Sequence, residues 1–254
     1  MNQNQSIEHG VSILYTDDQH LCVVFKPAGL LTVKNHEHEA DALGALRNYM
    51  AAKRAAAGRT SYVVPLHFLD RDVSGLVMFA LSSKAAARIN EAIKTRQIKK
   101  FYVALVEGEA KFCEDSWCTL EHHLAPDAVK KDRMRVVVSP TKDTVLAKMR
   151  VRRIWFDKDK HQSLVLIDLE TGRKHQIRLQ LAAKNSSIVG DPWYGQGIPS
   201  EKFTKPCLQA QFLKIQHPVS GQSIEVLAPH PAWFIAGKSV WEALKVSDIV
   251  LGNH

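Results

Sequence analysis

The 254-residue chain lacks the marks of several common protein classes. It has only four cysteines, Cys22, Cys113, Cys118 and Cys207, and none form a CxxC pair. His122 and His123 lie near Cys118. Neighbours on a strand point to opposite faces, however, whereas a structural zinc needs four convergent ligands. No metal site is expected. Scattered cysteines without a secretion signal predict free thiols and a cytoplasmic location. The first ten residues, MNQNQSIEHG, have neither the basic nor the apolar region of a signal peptide. No apolar run approaches the ~20 residues of a membrane span, so no membrane partner is expected.

Apolar residues are not scarce. At 45% hydrophobic and 24% charged, the composition excludes a largely disordered chain. The length suffices for one large core or two small ones. Positive charge is in surplus, with 34 Lys and Arg against 26 Asp and Glu, a formal net charge of +8. Such a surplus favours a polyanionic partner without naming it.

Short apolar runs at Ser12–Tyr15 and Leu21–Phe25 flank Thr16-Asp17-Asp18 and predict a hairpin. Lys26-Pro27-Ala28-Gly29 then ends the second strand. Leu43, Leu46 and Met50 fall at helical spacing, so a helix is expected over Asp41–Ala57, with Gly58 stopping it. Leu76–Leu81 reads as a buried strand. A second helix is expected from an N-cap at Ser83 to about Gln97. Further strands are expected at Phe101–Val106, within 110–160, at Ser163–Leu169, and at Leu208–Ile215 with Ile224–Leu227. Lys174–Lys184 predicts a short helix. With no repeat and no linker, residues 12–235 are expected to form one domain of mixed α and β structure. Residues 1–11 are expected to be flexible and 236–254 to be an extension.

The charge is concentrated in two runs. Residues 128–153 carry nine Lys and Arg, among them Lys130, Lys131 and Arg133, against two Asp, a balance of +7. Residues 84–100 carry six against one Glu, a balance of +5. One such run reads equally well as a solvated face. Two favour a surface that follows phosphates, which positions a nucleic acid without reading its sequence.

Three clusters carry chemistry. His67-Phe68-Leu69-Asp70-Arg71-Asp72-Val73-Ser74-Gly75 places two carboxylates just before a strand. A lone Asp there would simply satisfy turn donors. Two, beside His67 and Ser74, suggest a site. Thr171-Gly172-Arg173-Lys174-His175-Gln176-Ile177-Arg178 is the second. On a helix, His175 and Arg178 would share one face. Arg178 could hold Asp70 with a bidentate fork and keep it ionised. Tyr102, following Lys100, could stack on a base, although a core tyrosine is the simpler reading of that residue alone.

In family order, these segments resemble the RluA-type RNA pseudouridine synthases. The matching pieces are Lys26-Pro27-Ala28-Gly29; His67-x-Leu69-Asp70-x-x-x-Ser74-Gly75; Lys100-x-Tyr102-x-Ala104-x-Val106-x-Gly108; Thr171-Gly172-Arg173-x-His175-Gln176-Ile177-Arg178; and Gly190-Asp191-x-x-Tyr194-Gly195. The tail through His217-Pro218 also fits, so the resemblance spans roughly residues 12–231. It implies an α+β fold, with a mixed, largely antiparallel sheet, flanking helices and a central catalytic cleft. It implies isomerisation of uridine to pseudouridine in structured RNA, tRNA or rRNA, by a monomer without cofactor or metal. It makes Asp70 the catalytic aspartate, Tyr102 the active-site tyrosine and Arg178 the arginine paired with the aspartate. His67, Phe68, Arg71, Lys100, Arg173, His175, Lys130, Lys131 and Arg133 are then candidates for RNA binding.

The family usually has Arg where this chain has Phe68, and that Arg is associated with extruding the target nucleotide. Phe68 reads either as an apolar wedge between bases or as a buried core residue. Many relatives carry a small N-terminal RNA-binding domain. Here about ten residues precede the first strand, so the catalytic domain itself is expected to recognise RNA. Two other classes compete. Leu69-Asp70-Arg71-Asp72-Val73 mimics the DxD motif of Mg²⁺-dependent phosphatases, but Gly190-Asp191-Pro192-Trp193-Tyr194 lacks the later second acid. A non-catalytic RNA-binding protein would explain the charge, but not Asp70, Tyr102 and Arg178 together.

Overall fold

A computed structural model describes residues 5–35, 39–55, 61–114, 116–195, 203–234 and 241. In chain order the main elements are β1 (Gln5–Ser6), β2 (Ser12–Thr16), β3 (Leu21–Lys26), α1 (Ala42–Ala55), β4 (Val64–Pro65), β5 (Ser74–Ala80), α2 (Ser83–Lys94), β6 (Lys99–Glu107), β7 (Cys118–Pro126), β8 (Met134–Val137), β9 (Val145–Asp157), β10 (Gln162–Leu169), α3 (Gln176–Ala182), β11 (Leu208–Gln216) and β12 (Ser223–Leu227). The strand pairs of known register are all antiparallel, as the α+β reading expects. Gly58 lies outside the described residues.

The chain forms two compact units, residues 1–100 with 210–228, and residues 101–209 with 229–254. In the first, β3 pairs with β2 and β5, and β12 pairs with β11. Alternate residues Leu21, Val23, Leu76, Met78 and Ala80 face one apolar cluster with Leu213, Ile215 and the inner side of α2. Met78 is fully buried there, so Met78→Ala would cost about 2–5 kcal/mol. Ser82 caps α2, its hydroxyl accepting from the Ala85 N–H at 3.3 Å. The cap therefore lies one residue earlier than expected. Residues 5–10, within the expected flexible segment, form β1 and a single 3₁₀ turn.

Gly75 lies where the loop that carries Asp70 enters β5. Its φ is +125°, and a Cβ there would fall 2.3 Å from the Ala210 carbonyl oxygen. Both the backbone angle and the close approach demand glycine.

In the second unit β10 pairs with β6 and β9, β9 with β7, and β7 with β8. Ala147, Met149 and Val151 of β9 are buried, while Lys148, Arg150 and Arg152 take the other face. Leu179 of α3 packs on Leu124 and Ala147. Among the described residues, no helix is long and apolar enough to cross a membrane. All four cysteines are free thiols.

Candidate active site

The candidate residues divide between the units. His67, Phe68, Asp70, Arg71 and Lys100 belong to the first. Tyr102, Lys130, Lys131, Arg133, Arg173, His175 and Arg178 belong to the second.

Asp70 sits on a loop whose neighbouring backbone is held from below. The buried Thr32 hydroxyl donates to the Leu69 carbonyl at 3.0 Å and accepts the Leu69 N–H at 3.1 Å. The Lys26 side chain is fully buried, and its ammonium donates to the carbonyls of Pro27 at 3.0 Å, Leu30 at 2.7 Å and Arg71 at 3.1 Å. The Gly29 N–H reaches the same Arg71 carbonyl at 2.8 Å, and the Val73 N–H closes a turn on the Asp70 carbonyl at 3.1 Å. A buried ammonium survives only with such hydrogen bonding. Lys26-Pro27-Ala28-Gly29, which the sequence marks as the end of a strand, is therefore a clamp on the loop.

His67 lies beneath the same loop. Its Nε2 accepts the Met78 N–H at 3.2 Å, which makes that nitrogen unprotonated and puts the ring proton on Nδ1. Burial, helped by the nearby positive charge of Lys100, pushes its pKa down to about 3. Burial also lowers the pKa of the Lys100 ammonium. These two are electrostatic neighbours, and both keep part of their surface accessible. Phe68 between His67 and Leu69 is 66% exposed, which overturns the buried-core reading of this residue. Arg71 is exposed, its guanidinium paired with Glu39 at 3.2 Å and bonded to the Gly29 carbonyl at 3.3 Å.

Tyr102 is buried in β6, opposite Ile167 of β10. Arg178 is buried on α3 and forms a fork on Asp191, Nε to Oδ2 at 2.7 Å and Nη2 to Oδ1 at 2.8 Å. Burial alone would raise the Asp191 pKa. The guanidinium, aided by the N–H groups of Trp193 at 2.9 Å and Tyr194 at 3.2 Å, outweighs burial and holds it below the usual carboxylate range. The sequence flags Asp191 only as a motif letter, because its partner is 13 residues away on another element. Gly190, the residue before Asp191, has no room for a side chain. Its φ is +75°, and a Cβ there would lie 2.5 Å from the Lys205 carbonyl.

His175 departs from expectation. It adopts a left-handed φ of 55° and precedes α3, so it does not share a helical face with Arg178. Such a conformation costs a non-glycine residue about 1–2 kcal/mol. Local bonds hold it: the Thr171 hydroxyl donates to Gln176 Oε1 at 2.8 Å, the Arg173 N–H to the same oxygen at 3.1 Å, and Gln176 Nε2 to the Lys148 carbonyl at 3.1 Å. The His175 ring is buried, with Nδ1 at 2.9 Å from the Tyr194 hydroxyl, which also accepts the Met134 N–H at 2.9 Å. Arg173 stays exposed and bonds the Leu146 carbonyl at 3.1 Å.

The basic run at 128–153 is partly neutralised from outside itself. Arg150 pairs with Asp168, Arg153 with Glu109 and Glu114, and Lys148 with Glu170. Lys130 and Lys131 are exposed on the turn between β7 and β8, and Arg133 stacks on the Trp193 ring with its guanidinium carbon 5.3 Å from the centroid. Among the described residues, no group of three His, Cys, Asp or Glu is arranged to hold a metal ion.

The RNA pseudouridylate synthase family model matches residues 20–183. The chain is 32% identical over 225 residues to the Bacillus subtilis uncharacterized RNA pseudouridine synthase YhcT, covering 89% of this chain and 70% of the relative. It is 31% identical over 225 residues to the dual-specificity RNA pseudouridine synthase RluA of Haemophilus influenzae, covering 87% and 94%. The solved human RNA pseudouridylate synthase domain containing 1 shares the fold, with a TM-score of 0.67 at 22% identity over 87% of this chain and 84% of that one. A matched model over most of the chain, a relative covered almost end to end and a shared fold lead to one conclusion: this chain belongs to the RluA-type RNA pseudouridine synthases, which isomerise uridine in RNA.

Proposed function

We propose that Asp70 is the catalytic carboxylate, with Tyr102 and Arg178 as its partners in the reaction. The observation that carries this reading is the clamp. Leu69 and Arg71, on either side of Asp70, have their backbones fixed by Thr32, Lys26 and Gly29, so the carboxylate is carried on a preorganised loop. The reaction breaks the N1–C1′ bond, turns the uracil and joins C5 to C1′. The C5 proton leaves and N1 gains one, so no redox partner or water is consumed. An ionised Asp70 serves either by attacking C1′ or by removing the C2′ proton to give a glycal. Tyr102 stacks on the detached uracil and keeps it in place. Arg178, held in place by its fork on Asp191, is in this reading the arginine that partners the catalytic carboxylate.

The substrate in this reading is a structured tRNA or rRNA in the cytoplasm. The dual specificity in the name of the Haemophilus relative fits an enzyme not confined to one RNA. Tritium release from RNA labelled at uridine C5 tests the assignment. Wild type should release tritium, and Asp70→Asn should release none while keeping its melting temperature and RNA affinity. Release by Asp70→Asn at the wild-type rate would overturn the role of Asp70. Pseudouridine mapping in RNA from a deletion strain would name the position.

A further inference from the structure

We propose that Trp193 is a stacking platform for a second RNA nucleotide, outside the reacting uridine, with the basic turn between β7 and β8 holding the phosphates beside it. The proposal rests on the reading of this chain as an RNA-modifying enzyme and assigns part of its RNA-binding surface.

Trp193 is 38% exposed although its own backbone is hydrogen-bonded on both sides. Its N–H donates to Asp191 Oδ1 at 2.9 Å, and its carbonyl accepts from Arg133 Nη1 at 2.9 Å. The guanidinium carbons of Arg133 and Arg178 each lie 5.3 Å from the ring centroid, and the His175 ring meets it edge-on at 5.0 Å. An indole is one of the largest apolar surfaces a chain can bury, and cores usually absorb it. Here the backbone is pinned on both sides while over a third of the residue stays in water.

The adjoining turn is also built. Asp127 Oδ1 accepts the N–H groups of Val129 at 2.9 Å and Lys130 at 3.0 Å, and the Arg133 N–H returns to the Lys130 carbonyl at 3.1 Å. This geometry presents Lys130 and Lys131 outward beside Arg133. The turn is latched to the Trp193 loop twice, by Arg133 to the Trp193 carbonyl and by the Met134 N–H to the Tyr194 hydroxyl. A partly exposed ring with the Arg133 guanidinium over it, next to the lysines of a fixed turn, suits an unpaired base that stacks against this aromatic–guanidinium pair and its phosphates. Stacking tolerates any base, whereas a base within a duplex offers no free face.

The test titrates wild type, Trp193→Phe and Trp193→Ala with a mixed-sequence single-stranded RNA of about 12 nucleotides, a length within the usual site sizes. RNA should quench the tryptophan emission of wild type, and most of that quench should vanish in Trp193→Phe. Trp193→Phe should keep its Kd within about threefold, and Trp193→Ala should weaken binding about 5- to 150-fold. Replacing both Lys130 and Lys131 with Gln should lower the slope of log Kd against log salt by about 1.4. Equal quenching in wild type and Trp193→Phe, or an unchanged Kd in Trp193→Ala, would overturn the proposal. So would loss of binding by both Trp193 variants together with a fall in their melting temperature, since that assigns the ring to structure alone. Failure of the catalytic assignment is separable, because these readouts are of binding and the tritium assay is of turnover.

Discussion

The Lys26 ammonium donates to the carbonyl of Arg71, 45 residues later in the chain and one residue past Asp70. The buried charge thereby ties the first motif of the chain to the second. Lys26→Met keeps the stem and deletes the donors. It should destabilise the protein by about 1–3 kcal/mol, the cost of carbonyls left unsatisfied. Turnover should fall about 100-fold if Asp70 shifts by roughly an ångström, while RNA affinity changes little. Urea unfolding and single-turnover tritium release would separate these effects. Unchanged turnover would mean that the position of Asp70 does not depend on the clamp.

Asp191→Asn should take from the buried Arg178 guanidinium the carboxylate that its fork holds, at a cost of about 3–5 kcal/mol. Because the Asp191 pKa is lowered in the folded protein, its contribution is fully present above the unfolded carboxylate value. It is lost as pH falls through the lower folded value. The stability difference between wild type and Asp191→Asn should therefore be constant at neutral pH and shrink in strong acid. A difference that persists unchanged at low pH would show that charge is not its source.

His67 gives a different pH signature. Its folded pKa, about 3, lies below the ordinary 6.5, so the unfolded state takes up the proton first. Stability should fall as pH drops from about 6.5 towards 3, with His67 contributing a slope of up to about 1.4 kcal/mol per pH unit. His67→Gln should flatten that part of the curve in denaturant titrations. An identical slope in the variant would place the proton uptake elsewhere.

Phe68→Ala removes an exposed ring, so its stability should stay within about 0.5 kcal/mol of wild type. If the ring wedges between bases, turnover should fall about tenfold or more. Phe68→Arg, the residue usual in the family, should retain most of it. Wild-type turnover in Phe68→Ala would sink the wedge.

Strand positions were legible because alternating apolar residues, such as Leu21 and Val23 or Leu76 and Met78, follow from the two-residue period of a half-sheet. The family was legible through the order of the motifs. What stayed hidden depends on long-range partners or unusual backbone. Nothing local in Thr32 says that its hydroxyl will grip Leu69, 37 residues away. Helical spacing placed His175 on α3, but its left-handed conformation is selected by Gln176 and Tyr194. The charge run at 128–153 read as open because its neutralising acids, Glu109, Glu114, Asp168 and Glu170, lie outside it in sequence.

The first compact unit is assembled from two separated stretches, residues 1–100 and 210–228, and Leu213, Ile215, Ile224 and Val226 complete its apolar cluster. On the ribosome, Leu76 and Met78 must therefore wait for well over a hundred further residues. At usual synthesis rates of about 5–20 residues per second that is roughly 7–30 s. During that time the nascent chain offers unpaired β-strand and apolar surface to any chaperone or aggregating neighbour. Truncation before residue 228 would leave the clamped Asp70 loop on an unfinished core.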